Sequence, residues 1–392
     1  MDAPGPRRRS ARLAIVVVAV IVACIAGGYF VAGGWPKRPA SHALVGIFSP
    51  TPPSPSPTPP KLSGHAPTGQ SLILYRRLDP QDQPTELLAA SWRGVLYSAL
   101  DSRDPQGLIT QSPDGSKLLY GYGPIVHDVV TGAETAVPLG ENDTVTSEVW
   151  GDDDRHLCAA TLAASGSTSD IWIGDLYAPP THLATLGNML PQLQGQGLVG
   201  VTVLACSPLS GLVVVAQDGY LGETIELWVL DATTGAVDYH RSYPRTSKTN
   251  FDAFHVVASR DGKYIAETES VTGDSTIRRW ADDSILMVLN GEEVHDFSWN
   301  GDRVVVTARD PGLSIDNFTF QNPAVIELRT GRAIWQAPVG ARWFGQFVAQ
   351  PGAGGFALGL NICAPQCQMN LWLIGSDGKG RELDHNVLMF WP

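Results

Sequence analysis

Ser112-Pro113-Asp114-Gly115-Ser116-Lys117-Leu118-Leu119-Tyr120 is the stretch that decides the fold. A Pro-Asp-Gly turn leads at once into a short apolar run, which is how a tight hairpin turn opens a buried strand. The same grammar recurs along the chain. Gly151-Asp152-Asp153-Asp154 leads into His156-Leu157-Cys158-Ala159, and Ser207-Pro208-Leu209-Ser210-Gly211 into Leu212-Val213-Val214-Val215. Ser259-Arg260-Asp261-Gly262 leads into Lys263-Tyr264-Ile265-Ala266, and Trp299-Asn300-Gly301-Asp302 into Val304-Val305-Val306. Gln350-Pro351-Gly352-Ala353-Gly354 leads into Phe356-Ala357-Leu358. The mean spacing of about 48 residues is that of propeller blades.

A second marker follows within the repeats. Ile171-Trp172-Ile173, Leu227-Trp228-Val229 and Leu371-Trp372-Leu373 read as one strand reused, and the three Trp are expected to pack between blades. Glycine turns come next in several copies, as in Asp128-Val129-Val130-Thr131-Gly132 and Asp231-Ala232-Thr233-Thr234-Gly235. No amphipathic helical stretch of useful length follows residue 65, so the class is all-β.

The ends of the repeat region predict ring closure. Pro67-Thr68-Gly69-Gln70-Ser71-Leu72-Ile73-Leu74 aligns with the stretch beginning at Pro113, but proline-rich sequence stands where its preceding strand belongs. Asn386-Val387-Leu388-Met389-Phe390-Trp391-Pro392 has the pattern of that missing strand. It matches Phe254-His255-Val256-Val257-Ala258-Ser259 and Val294-His295-Asp296-Phe297-Ser298-Trp299. The expectation is a β-propeller over residues 65–392, with seven blades and with six or eight as the neighbouring counts. The C-terminal strand completes the first blade and removes the free edges of the ring.

The S-P-D-G-x-x-L pattern is similar to the repeat of TolB-like and WD40-like propellers. Asp231-Ala232-Thr233-Thr234-Gly235 and Thr330-Gly331-Arg332-Ala333-Ile334-Trp335 also resemble the repeat of quinoprotein-type propellers. The Gly-His and Trp-Asp dipeptides of true WD40 repeats are absent. The resemblance implies the fold and is nearly silent on function.

The N-terminus speaks to location. Residues 13–35 carry no charge and are long enough to cross a bilayer as a helix. Arg7, Arg8, Arg9 and Arg12 precede the run, against Lys37 and Arg38 after it, which favours an inside N-terminus (residues 1–12). The expectation is a single-pass cell-membrane anchor with the bulk of the chain extracytoplasmic. Ile21-Val22-Ala23-Cys24 resembles a bacterial lipobox, so a lipoprotein anchored at Cys24 is the alternative. A cleaved signal is a third reading.

Residues 36–64 form a Pro/Ser/Thr-rich linker, with seven prolines in residues 49–60. That run favours extended polyproline II and spans about 37 Å, a stiff spacer.

Charge excludes one class of partner. The 392-residue chain has 27 basic and 39 acidic residues, net −12. The first twelve residues hold four Arg and one Asp, so the remaining 380 carry net −15. Such a surface disfavours nucleic acid and anionic lipid. Arg exceeds Lys by 21 to 6, the usage of a GC-rich bacterial genome.

Chemistry is sparse. Metalloprotease, nucleophile-elbow, P-loop and dinucleotide motifs are absent, and no catalytic residue, cofactor or metal is expected. The aspartates at 152–154 and 282–283 are read as turn residues rather than calcium ligands. Arg278-Arg279 is read as a solvated strand face. His295-Asp296 falls on an inner strand and would line the channel, or form an ordinary satisfied polar pair. Cys363 and Cys367 bracket Ala364-Pro365-Gln366 and are a candidate disulfide in an oxidising compartment. Cys158 and Cys206 lie on predicted strands and are read as buried apolar fillers.

Two functions follow. The first is a membrane-anchored, non-catalytic scaffold that binds a protein or an envelope polymer through longer loops near 217–224, 241–252, 308–323 and 361–368. The alternative is a cofactor- or metal-dependent enzyme, quinoprotein-like or a hydrolase, with its site at the channel mouth.

Overall fold

The computed structural model describes residues 60–389, apart from 79–83, 99–108, 121–124, 138, 140–143, 163–167, 188–198, 220–223, 245–253, 270–271, 309–319, 339–340 and 364–366. The anchor at residues 13–35 with its flanking Arg7, Arg8, Arg9 and Arg12, the lipobox Cys24 and nearly all of the proline-rich run lie outside the described residues. Among the described residues no helix is long and apolar enough to cross a membrane.

Among the described residues, 28 strands form seven four-stranded antiparallel blades, the sixth and seventh joined by a short β22–β24 pairing. Blade 1 holds β1 (Leu72–Leu78), β2 (Pro84–Ser91) and β3 (Leu96–Tyr97). Blade 2 holds β4 (Ile109–Gln111), β5 (Lys117–Tyr120), β6 (Ile125–Asp128) and β7 (Glu134–Ala136). Blade 3 holds β8 (Thr144–Trp150), β9 (His156–Leu162), β10 (Thr168–Asp175) and β11 (Ala178–Gly187). Blade 4 holds β12 (Val199–Ser207), β13 (Leu212–Gly219), β14 (Thr224–Asp231) and β15 (Val237–Pro244). Blade 5 holds β16 (Phe254–Ala258), β17 (Tyr264–Glu269), β18 (Asp274–Arg279) and β19 (Ser284–Leu289). Blade 6 holds β20 (Glu292–Phe297), β21 (Arg303–Ala308), β22 (Phe320–Glu327) and β23 (Arg332–Gln336). Blade 7 holds β24 (Ala341–Ala349), β25 (Phe356–Cys363), β26 (Cys367–Ile374) and β27 (Gly380–Asp384).

The last strand, β28 (Val387–Met389), completes blade 1 as its inner strand. It pairs Tyr75 with Met389, Arg76 with Leu388 and Arg77 with Val387. The expected closure and the count of seven both hold. The seam also carries buried polar contacts. Tyr75 Oη donates to Asp384 Oδ2 at 2.8 Å, and Arg77 Nε donates to the same oxygen at 2.9 Å. Asp384 is fully buried on the outer strand of blade 7, so its carboxylate ties the last blade to the first.

The blade turns form for a local reason. Ser112 Oγ donates to Asp114 Oδ1 at 2.7 Å and accepts the Lys117 amide at 3.0 Å. Ser259 does the same with Asp261 and Tyr264, and Ser298 with Asn300 and Arg303. One buried hydroxyl thus satisfies both arms of the hairpin. The glycine that follows adopts positive φ, +73° at Gly115. A Cβ at Gly115 would also stand 2.0 Å from the Gln70 carbonyl oxygen in the neighbouring blade's turn, so the position admits glycine alone.

The core is divided by blade interface rather than gathered at the centre. Seven apolar clusters each join two neighbouring blades. Trp228 packs between blades 3 and 4, Trp172 between 2 and 3, and Trp372 beside Trp335 between 6 and 7. The expected role of the repeated Trp holds.

Two expectations fail. Cys158 and Cys206 are not fillers but a disulfide, with Cα atoms 5.6 Å apart. The bond links β9 of blade 3 to β12 of blade 4. Arg278 is not a solvated residue. Its Nε lies 3.3 Å from Glu267 Oε2, in a network where Tyr243 Oη of blade 4 also donates to Glu267 at 2.7 Å.

Candidate functional site

Strand alternation divides the ring into two faces. First-to-second and third-to-fourth connections share one face, where every turn is short. Second-to-third and blade-to-blade connections share the other. The segments 220–223, 245–253, 309–319 and 364–366 all join strands at this second, loop face. The four regions singled out from sequence therefore issue from one side of the disc. Their central residues lie outside the described ones.

Cys363 and Cys367 fall at this face, at the ends of β25 and β26. The register sets them directly opposite one another. Opposed residues in an antiparallel pair have Cα atoms about 4.5–5.5 Å apart, within the span a disulfide bridges.

The turn face has a different character at the axis. The residue after the turn-opening position is Pro113, Pro208 and Pro351 in three blades but Asp152, Arg260 and Trp299 in three others, and of these Pro113, Pro351, Arg260 and Trp299 line one cavity. The Arg260 guanidinium lies 5.0 Å from the centre of the Trp299 ring, within cation–π range. Pro113, Pro351, Gln111 and Val348 complete a small cavity around them. Its volume of about 20 Å³ holds about one water molecule.

Electrostatics at this end are built from few groups. Burial pushes the Asp296 carboxyl up to about 7, against the opposing pull of Arg260 and the Phe297 amide. Burial likewise lowers the Arg260 pKa, opposed by Asp296 and Asp152. His295, the neighbour of Asp296, is turned away and buried, with Nε2 2.6 Å from Thr307 Oγ1 of its own blade. So the His295-Asp296 dipeptide divides: the histidine is a satisfied core group and the aspartate joins the axial cluster. On β8, burial also raises Glu148 to about 7, and its Oε2 lacks a hydrogen-bond partner.

The acidic run at 152–154 is taken up by hydrogen bonds, one within its own turn and two to neighbouring blades. Asp152 accepts from Ser207 Oγ at 2.5 Å, Asp153 from the His156 amide at 3.0 Å, and Asp154 from the Asp114 amide at 2.5 Å. Asp282 accepts from the Ser284 amide at 3.1 Å. Among the described residues no three His, Cys, Asp or Glu side chains gather as a metal site.

Sequence reasoning missed the Arg260–Trp299 pair. The available signal was a departure from pattern, since both replace the proline that three other turns carry. Nothing local revealed that the two would meet between blades 5 and 6.

With this geometry in view, the fold is that of a seven-bladed β-propeller. Solved structures share the fold. An oligogalacturonate lyase from Vibrio parahaemolyticus matches 79% of this chain and 92% of its own at 11% identity, TM-score 0.50. The β-propeller domain of Myceliophteria thermophila Cps50 (Swd1) matches 72% and 87% at 13% identity, TM-score 0.45. Kuenenia stuttgartiensis hydrazine synthase matches 69% and 78% at 16% identity, TM-score 0.42. Identities this low speak of fold and not of activity. No protein-family model matches the sequence, and no curated protein matches it.

Proposed function

We propose that this chain is a membrane-anchored, extracytoplasmic propeller that acts as a non-catalytic scaffold, binding a protein or an envelope polymer on its loop face. The observation that carries the reading is the asymmetry of the disc. All the long connections issue from one face, while the cavity beside Arg260 and Trp299 on the other has room for about one water. A substrate pocket is typically ten or more times larger.

Location rests on separate support. The disulfide between Cys158 and Cys206 belongs to an oxidising compartment. The uncharged run at residues 13–35 and the arginines before it fit an anchor with the propeller outside. The proline-rich run at 49–60 serves as the spacer.

The test is capture from solubilised membranes with the tagged full chain, read by mass spectrometry. One reproducible envelope component is expected, lost when residues 309–319 are replaced by a short Gly-Ser loop and kept in Arg260→Ala. Capture that survives loop replacement but fails in Arg260→Ala would reverse the assignment of faces. A protein that comes down alone with an absorbing cofactor would overturn the scaffold reading.

A further inference from the structure

Three buried polar atoms share one seam of the ring. Trp150 Nε1, Thr110 Oγ1 and Glu148 Oε2 each have no hydrogen-bond partner among the described residues. Trp150 is 2% exposed and Thr110 5%. A buried polar group left unpaired is costly, so each of the three requires a partner.

Register shows where they point. In an antiparallel pair, directly opposed residues lie on the same face of the sheet. Thr110 of β4 stands opposite Leu119, while Glu148 and Trp150 of β8 stand opposite Ala159 and Leu157. Leu119, Ala159 and Leu157 all belong to the apolar cluster between blades 2 and 3. All three polar side chains therefore enter that seam, one from blade 2 and two from blade 3.

Their levels also agree. The Ser112 and Gly151 amides close equivalent turns, on the Lys117 and His156 carbonyls. Counted back from those turns, Trp150 is one residue away, Thr110 two and Glu148 three. At about 3.3 Å per residue, Thr110 comes level with the gap between the other two. Nearer the turn surface the Asp114 amide meets Asp154 Oδ1 at 2.5 Å, so the two blades are already tied beside this point.

The chemistry selects the occupant. An indole N–H only donates, a carboxylate accepts, and a hydroxyl does both. A cation would be opposed by the Trp150 N–H, and an anion by the Glu148 carboxyl. Among the described residues no charge offsets the burial of Glu148. A neutral molecule that both accepts and donates answers all three groups, and a buried water makes about three hydrogen bonds.

We propose that the seam between blades 2 and 3 holds one ordered water that accepts from Trp150 Nε1, donates to Glu148 Oε2 and bonds to Thr110 Oγ1. The water ties blade 2, whose strands are only three or four residues long, to the longer inner strand of blade 3. Asp384 and Glu267 tie other seams directly through their carboxylates.

The test is Thr110→Val in the full chain, an exchange of similar shape, read as the urea midpoint at neutral pH. A bridging water predicts a lower midpoint, because Trp150 and Glu148 lose the hydroxyl they share through it. A midpoint that rises or stays put overturns the proposal, since deleting an unpartnered buried hydroxyl relieves a cost. A second measurement needs no variant: an experimental structure of the wild-type full chain at a resolution that shows ordered water. Density within about 2.6–3.2 Å of all three atoms is expected. A seam without that density, or one in which the three side chains bond to each other, overturns the site.

Discussion

Asp296 and Glu148 are carboxyls that burial holds protonated far above their ordinary range. Both carboxyls are raised by burial from their ordinary values, near 3.8 and 4.5, to about 7. A raised carboxyl pKa means that the folded state holds protons the unfolded chain has released. Each group therefore favours the fold most below about pH 4, and its contribution is lost as pH rises towards 7. Wild-type Tm is expected to fall between pH 5 and pH 8, and Glu148→Gln should fall less over that window. Equal slopes in thermal scans would show that burial does not control the Glu148 proton. At the same scale, the Cys158–Cys206 bond closes a 48-residue separation. Loop-closure entropy assigns it about 4 kcal/mol, so Cys158→Ser should lower the urea midpoint, and reductant should lower the wild type to the same value.

Elements are stabilised at the seams between blades, and the seams use two different devices. The junction of blades 4 and 5 relies on buried Glu267, which meets Tyr243 Oη at 2.7 Å and Arg278 Nε at 3.3 Å. Burial first, and then the Glu267 charge, raise the Tyr243 pKa, so the phenol stays a donor. Removing the carboxylate leaves a buried cation and hydroxyl uncompensated. Glu267→Ala is therefore expected to cost about 3–5 kcal/mol in denaturant unfolding, while Glu267→Gln costs less. The junction of blades 7 and 1 relies on β28. A truncation at residue 386 removes its pairing with Tyr75, Arg76 and Arg77 together with the buried Val387. The loss should be on the order of 3 kcal/mol or more, with a broadened thermal transition in calorimetry. An unchanged sharp transition would mean the ring does not depend on its closing strand.

The propeller has unlike faces, and that inequality organises its behaviour. Short serine–aspartate turns leave little chain on one face, while the connections at 245–253 and 309–319 place far more on the other. Opposed register at Cys363 and Cys367 makes a loop-face disulfide the expected state of protein recovered from an oxidising compartment. Intact-mass measurement after alkylation should count one bond beyond Cys158–Cys206, a further 2 Da below the fully reduced chain. Free thiols at both positions would withdraw that support for the location.

What the sequence determined by itself was whatever repeats or depends on near neighbours. The Ser-x-Asp-Gly turns, the period near 48 residues, the Trp strands and the closing strand at 387–389 were all legible there. Each turn is formed by hydrogen bonds within five residues, such as Ser112 to Asp114 and Lys117. Repetition then multiplied a weak local signal into a blade count. What only the tertiary structure decided was which residues meet across blades. Cys158 and Cys206, Arg260 and Trp299, and Glu267 and Tyr243 come from different repeats and share no local pattern. Their pairing depends on the angle between neighbouring blades and on closure of the ring, which no single repeat encodes. The exposure of Leu286 belongs to the same class, because extra residues in other outer strands face either way: Leu183, Ile334 and Leu383 pack inward against neighbouring blades, while Asp238 is exposed.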